Sequence, residues 1–308
     1  MIKTKPLVSI CCITYNHEKF IEEALEGFLM QETNFEYEIL IHDDASTDKT
    51  KSIIESYVLK HPEVVFPIFQ KENQYSLGVR GIMARYNFPR AKGKYVALCE
   101  GDDYWTDPLK LQKQVDFMEV NPSYGVCFHN TLQKSEFNHI ENFVFPNVIK
   151  DTDFLLEDYV LSNITATCSM VFKSEFLKEV PSWFTKLPFG DLGITLTVMK
   201  NSNKKCHVLK DIMAVYRIHE QGTHGSFHKN NKGLLKAYKQ HLQFNAIIAK
   251  NLLKEPKYKR VLLTKKRNTY KFLSKAYRNE QHYFLSIKNK CLMRFCNLLL
   301  RLRSLYLF

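Results

Sequence analysis

Three places in the sequence carry side chains able to grip a charged ligand, and each directly follows a short apolar run. Thr14, Tyr15 and Asn16 follow Val8-Ser-Ile-Cys-Cys-Ile. Asp43 and Asp44 follow Glu38-Ile-Leu-Ile-His42. Glu100-Gly-Asp-Asp103 follows Tyr95-Val-Ala-Leu-Cys99. The third group sets three carboxylates within four residues. Crowded carboxylates repel and raise one another's pKa unless a cation neutralises them. An oxygen-only donor set suits a hard divalent ion, Mg²⁺ or Mn²⁺, whose shell is usually completed by substrate phosphates. Asp and Asn are also common in turns and caps, so each group alone has a structural explanation. Three at equivalent places argue for a site. No G-x-x-x-x-G-K-[ST] loop occurs, and no G-x-G-x-x-G follows the first run. A diphosphate held through metal is the consistent picture.

These groups must be positioned by the elements around them. Val8–Thr14 reads as a strand buried on both faces, as in a parallel sheet. Phe20, Ile21, Ala24, Leu25, Phe28 and Leu29 form a helical stripe within Glu18–Met30. Glu38–His42 is a second strand. A helix capped by Ser46 or Thr47 then runs to about Leu59. Val64–Phe69 and Tyr95–Cys99 are further strands, with a short helix and loop in Gly78–Arg90 between them. Pro108 opens a helix to about Val120, and Val126–His129 is a fifth strand. Beyond it the spacing predicts a helix at Phe154–Leu161, a strand at Ala166–Phe172 and a helix at Leu192–Met199. Strands at Cys206–Leu209 and Ile212–Arg217 follow, and after Gly233 the pattern is almost all helix. This alternation predicts an α/β domain with a mostly parallel sheet flanked by helices. Ligands of such sheets bind at the carboxyl ends of the strands, where the three groups stand.

The 308 residues carry a formal net charge of +12, and it is unevenly spread. Residues 231–308 hold 19 Lys+Arg and two acids, a net of +17, which leaves −5 for residues 1–230. We therefore expect a domain at 1–230 and a basic helical extension at 231–308. No run approaches the roughly 20 apolar residues that span a bilayer. The first residues lack a cleavage-site pattern, so no signal peptide is expected. Eight cysteines without a C-x-x-C pair predict buried, reduced thiols and a cytoplasmic setting. His219, His224 and His228 come with no accompanying acid or cysteine pattern, so no zinc site is expected. Trp105 either stacks on an acceptor sugar or sits in the core.

Ordered motifs give the chain a family resemblance. They are Val8–Asn16, Ile39–Asp48, Ala91–Trp105, Phe189-Gly-Asp191 and Ala214-Val-Tyr-Arg-Ile-His219. Together they resemble the nucleotide-sugar-dependent glycosyltransferases of family 2, with the GT-A fold, over residues 5–225. The resemblance implies that Thr14, Tyr15, Asn16 and Asp44 face the base and ribose of a nucleotide-sugar donor. It implies that Glu100, Asp102 and Asp103 form the D-x-D-type metal motif, with Asp102 ligating Mn²⁺ or Mg²⁺ and Glu100 replacing the more usual Asp. It implies that Asp191 is the catalytic base and that His219 reaches the metal or diphosphate. Arg217 and Gly222–Gly225 would cover the donor. Without the resemblance, Asp191 also reads as the N-cap of a helix starting near Leu192. The implied activity is metal-assisted, inverting transfer, with a UDP-sugar as donor and a glycan or lipid-linked hydroxyl as acceptor.

A metal-dependent nucleotidyltransferase is the rival enzyme reading. It would usually place a glycine-rich phosphate loop where Thr14-Tyr-Asn16 stands. A non-enzymatic basic scaffold or nucleic-acid binder is the other. It gives no reason for the strand-end acids, and the tail has no base-reading module. In the tail, Phe284, Ile287, Cys291, Leu292, Phe295, Leu298, Leu299, Leu302 and Leu305 make an apolar helical stripe, with Lys290, Arg294 and Arg301 on another face. Packing against the body and peripheral binding to an anionic membrane surface both fit this pattern.

Overall fold

Seven residues of almost unbroken apolar character, Val8–Thr14, form strand β1 at the middle of the sheet. The computed structural model describes residues 5–138, 140–177, 179–222, 225 and 230–305. β1 pairs in parallel with β2 (Tyr37–Asp43) on one side and with β4 (Tyr95–Leu98) on the other, and β2 pairs in parallel with β3 (Val65–Phe69). Covered on both faces, β1 and β4 bury nearly every side chain, which is why they read as continuous apolar runs rather than alternating ones.

Helices cover the faces. α1 (Ile21–Leu29) buries Ile21, Ala24, Leu25 and Phe28. It starts later than the stripe alone predicts, because residues 17–20 form a turn in which His17 O accepts from the Phe20 and Ile21 amides. α2 is Thr50–Lys60. Its first turn is not capped by Ser46 or Thr47. Asp48 does this work, accepting from the Thr50 amide at 2.9 Å, while the Ser46 hydroxyl donates to Asp43. Gly78–Arg90 contains a π-helical turn at Met83–Asn87 and a 3₁₀ turn at Phe88–Arg90. Pro108 lies outside α3 (Lys110–Val120), whose approach is shaped by Asp107 accepting from the Leu109 amide.

The second half of the sheet is antiparallel and less regular than the sequence pattern predicts. β5 (Tyr104–Trp105) is a two-residue strand, β6 extends over Val126–Ser135, and β7 (Phe143–Phe145) pairs with it. Phe154 belongs to strand β8 (Thr152–Leu155), so α4 occupies only Leu156–Leu161. Most of the expected strand at Ala166–Phe172 is a 3₁₀ turn (Thr167–Ser169), and β9 covers Val171–Lys173. α5 (Gly190–Asn201) starts before Leu192. The two expected strands around residue 210 are one long strand, β10 (Lys205–Ile218). The order of the described strands is β3-β2-β1-β4-β9-β6-β10-β5, with β7 beside β6 and β8 beside β10.

The chain divides into two compact units. The first holds residues 1–156, 164–185 and 190–217, with a core that includes Val8, Ile10, Ile39, Ile41, Phe28, Tyr95, Ala97 and Trp105. Trp105 is buried, edge-on to Phe28, and its indole N–H donates to Cys168 O at 2.9 Å; it is a core residue, not a sugar platform. Gly27 makes this packing possible, since a Cβ there would lie 2.9 Å from the Trp105 backbone. The second unit holds residues 157–163, 186–189 and 218–308. It includes residues 157–161 of α4, and its long helices are α6 (Asn231–Asn251), α7 (Lys259–Asn279) and α8 (Tyr283–Leu305). Leu235, Leu273, Ala276 and Tyr277 form its core, and Ser274 and Ser286 exchange hydroxyl-to-carbonyl bonds that fix α8 against α7. All eight cysteines are free thiols. Seven are buried and Cys291 is exposed. No helix among the described residues is long and apolar enough to cross a membrane.

Candidate active site

Parallel pairing brings the three polar strand ends together. The Asp44 amide donates to Thr14 O at 2.9 Å, and the Gly101 amide donates to Ile13 O at 2.9 Å. The loops after β2 and β4 are therefore both hydrogen-bonded to the end of β1. Gly101 is required by this closeness. A Cβ at that position would meet Thr14 Cβ and Oγ1 at 2.9 Å and Ile21 Cδ1 at 3.0 Å. Thr14 Oγ1 is buried and makes no hydrogen bond within the described structure.

The residues around this junction differ in how they are engaged. Tyr15 is exposed at the strand mouth. Asn16 has a left-handed backbone, φ 54°, one of the few non-glycine types that adopt it readily. Its side-chain oxygen accepts from the Thr47 amide at 2.8 Å, and its own amide donates to the Ser46 hydroxyl at 2.9 Å. Asp44 is buried, with its two carboxylate oxygens accepting from the Gln74 and Tyr75 amides at 2.8 and 3.0 Å. Asn16 and Asp44 thus organise the loops that frame the strand mouth.

Glu100, Asp102 and Asp103 converge, each offering a carboxylate oxygen within 4.8 Å of the others. Glu100 is pushed up to about 8, first by burial and then by the Asp102 and Asp191 charges. Asp103 is raised well above the carboxylate range by burial and by its two acidic neighbours. Three crowded carboxylates in this state favour protons or a cation. Their oxygen-only chemistry fits a divalent metal, and Glu100, Asp102 and Asp103 could hold one. Asp103 is the innermost and accepts from the Arg217 amide at 2.8 Å, with the Cys168 thiol as a further neighbour. Asp102 is the more accessible, and His17 Nε2 lies 3.8 Å from its Oδ2.

Asp191 sits in the first turn of α5 rather than at its N-cap. Its carboxylate accepts from the Thr167 hydroxyl at 3.3 Å, and burial raises its pKa. The 167–169 turn connects it to the acidic loop, because Cys168 O receives the Trp105 indole N–H while the Cys168 thiol borders Asp103. Asp191 raises the pKa of Glu100, so the fourth carboxylate acts on one of the first three.

Arg217 holds the acidic loop from β10. Its guanidinium donates to Asp102 O at 2.7 Å, pairs with Glu23 and packs over the Tyr104 and Phe20 rings, 4.3 and 5.1 Å from their centroids. Desolvation lowers it to about 10. Two neighbours escaped the sequence reading. Tyr216 carries a phenol driven far above its usual range by burial and then by Asp103, Glu100, Asp102 and Asp191. His17 is the other, and its place directly after Asn16 was the available signal. His219 is buried and belongs to the second unit, where Gly222 lies beside its ring. His224, His228 and Thr223 of the expected 222–225 cover lie outside the described residues.

A mixed α/β sheet, parallel through β3-β2-β1-β4, with helices on its faces and acidic groups at its carboxyl edge defines a GT-A-like glycosyltransferase fold. The mannosyltransferase PcManGT from Pyrobaculum calidifontis, solved in complex with GDP-Man and Mn²⁺, superposes with a TM-score of 0.63 at 17% identity, covering 99% of this chain and 82% of that one. The family described as Glycosyl transferase family 2 matches residues 9–178. The chain belongs to this family. It is 37% identical over 219 residues to the uncharacterized protein Rv1520 of Mycobacterium tuberculosis, a match covering 70% of this chain and 60% of the relative. It is also 36% identical over 165 residues to the Escherichia coli UDP-Glc:alpha-D-GlcNAc-diphosphoundecaprenol beta-1,3-glucosyltransferase WfaP, covering 54% of this chain and 59% of that protein. The matched regions thus span about 60% of the length of these relatives.

Proposed function

We propose that this chain transfers a hexosyl group from a UDP-sugar to a hydroxyl of a glycan or lipid-linked acceptor, in one displacement that inverts the anomeric carbon. The observation that carries the reading is the convergence of Glu100, Asp102 and Asp103, with Asp191 electrostatically coupled to Glu100. An inverting transfer needs one base for the acceptor proton and one centre to stabilise the departing diphosphate. Asp191 takes the acceptor proton. Burial raises its pKa, which makes its carboxylate a stronger base than an ordinary aspartate. Asp102, with Glu100 and Asp103 behind it, holds the divalent ion, Mn²⁺ or Mg²⁺, which supplies Lewis-acid stabilisation of the diphosphate when bound. Thr14, Tyr15, Asn16 and Asp44 line the nucleoside end of the site. Arg217 keeps the acidic loop in place, and His219 is the further residue we assign to the metal or diphosphate.

The UDP-sugar and lipid-linked acceptor follow what the name of the Escherichia coli relative says of that protein. Membership of family 2 favours this reading over a nucleotidyltransferase or a basic scaffold. The test is a screen of UDP- and GDP-sugars for nucleoside diphosphate release, with Mn²⁺, Mg²⁺ or EDTA. Release from one donor that EDTA abolishes supports the reading. Undiminished turnover in EDTA overturns it.

A further inference from the structure

Helix α8 has two apolar faces, and among the described residues only one is used in packing. Leu285, Asn289 and Cys296 point inward, with Leu285 against the Leu235–Leu273–Ala276–Tyr277 core. Phe284, Ile287, Phe295, Leu298 and Leu302 point the other way and are between 43% and 79% exposed, with exposed Cys291 among them. Their spacing of three or four residues makes one continuous stripe, about 27 Å long at 1.5 Å per residue. On the helical wheel Lys288 falls along one border of this stripe, and Arg294, Arg301 and Lys290 along the other. Beyond the second border, Arg260, Arg267, Asn297, Leu300 and Arg301 line an open depression of about 360 Å³ between α7 and α8.

We infer that α8 lies in the surface of an anionic lipid bilayer, its Phe284–Leu302 stripe among the acyl chains and its basic borders against headgroup phosphates. Charge decides between the possible occupants. Paired helices that expose an apolar seam usually border it with both signs of charge. Here both borders are basic, so two copies laid seam to seam would repel. A nucleic acid would match the charge but leave the apolar stripe in water. An anionic bilayer matches both, because a helix of this kind seats its apolar face at the headgroup–acyl boundary while Lys and Arg meet the phosphates. The net +17 of residues 231–308 adds attraction over the whole segment. The three arginines of the depression give headgroup phosphate a multidentate seat that scattered lysines would not. The inference does not depend on the donor chemistry, so it can fail while the proposed activity stands.

Co-sedimentation of the full chain with vesicles tests it. One set is phosphatidylcholine alone; the other also contains phosphatidylglycerol. The chain is expected to pellet with the second set only, and to be partly released by salt. Phe295→Glu with Leu298→Glu, both exposed, is expected to weaken partitioning at least about tenfold with unchanged circular dichroism. Arg260→Gln with Arg301→Gln is expected to weaken it about tenfold on the anionic vesicles. Failure of the unmodified chain to pellet with anionic vesicles overturns the inference. So does pelleting that the Phe295/Leu298 variant leaves intact. A dimer by light scattering that this variant splits, without vesicle binding, would assign the face to a second copy instead.

Discussion

The backbone amide of Arg217 donates to the carboxylate of Asp103 at 2.8 Å, joining positions 114 residues apart. The same residue reaches back with its side chain to Asp102 O and Glu23. One residue of β10 therefore fixes the acidic loop twice, once through an amide that any residue would supply and once through a guanidinium that only arginine supplies. Arg217→Ala keeps the first and loses the second. It is expected to cost about 2–4 kcal/mol of stability, the range for a broken buried polar network, and to raise the Mn²⁺ concentration needed for half-maximal activity. Arg217→Lys should restore little, because one ammonium cannot bridge Glu23 and Asp102 O while lying flat between two rings. Thermal melts and metal titrations check both.

Asp102 and Asp191 should fail differently. Asp191→Asn removes the proton acceptor and is expected to lower kcat about 10²–10⁴-fold, with the donor KM close to unchanged. Asp102→Asn is expected to raise both the donor KM and the metal requirement. Steady-state kinetics at several Mn²⁺ concentrations separate the two. Equal KM effects in both variants would contradict the division of roles.

Gly101→Ala tests the contact between the first strand and the acids. The added methyl would press on Thr14 and Ile21. A cost of about 1–3 kcal/mol is expected from overpacking, together with weaker metal binding, since the displaced segment carries Glu100 and Asp102. A variant with normal melting and normal metal response would show that the loop tolerates displacement.

A pH effect follows from Lys110, which is fully buried with its Nζ 3.9 Å from the Trp105 ring centroid. Burial lowers it from 10.5 to about 7. Between pH 7 and 10 the unfolded chain therefore holds a proton that the folded chain largely lacks. Stability then rises with pH across this window, and the penalty is complete below pH 7. Lys110→Met is expected to stabilise the protein by about 2 kcal/mol at neutral pH and to flatten the rise. Denaturant midpoints at pH 7 and pH 10 give the comparison; an unchanged slope in the variant would refute it.

The parallel half of the fold was legible because its strands are buried on both faces and bounded by helices with clear stripes. Val8–Thr14 and Tyr95–Leu98 fall almost where the apolar runs place them. The antiparallel half was not. Its strands have polar or half-exposed positions, as in Thr152–Leu155, and acquire their identity from neighbours far away in sequence. The site divides the same way. Glu100, Asp102 and Asp103 announce themselves by spacing. The engagement of Arg217 with Glu23, and the place of Tyr216 among four carboxylates, depend on where β10 lands, and no local pattern records that.

Tyr104 and Trp105 pair with Val215 and Ala214, and this sets an order of assembly. β1, β2 and β4 all lie within the first 98 residues, β1 pairing with β2 at a separation of 29, whereas β5 must wait for a partner at residues 214–215 made much later in synthesis. Non-local pairings form slowly because their loop entropy is lost before contacts reward it. In pulsed hydrogen exchange during refolding, the Ile39 amide, which bonds to Val64 O, should gain protection before the Thr106 amide, which bonds to Met213 O. Until β10 docks, Asp103 has no amide from Arg217 and Asp102 no clamp. On the proposed function, metal affinity is therefore a property that nascent chains acquire late, after the block that bears the acids has already formed.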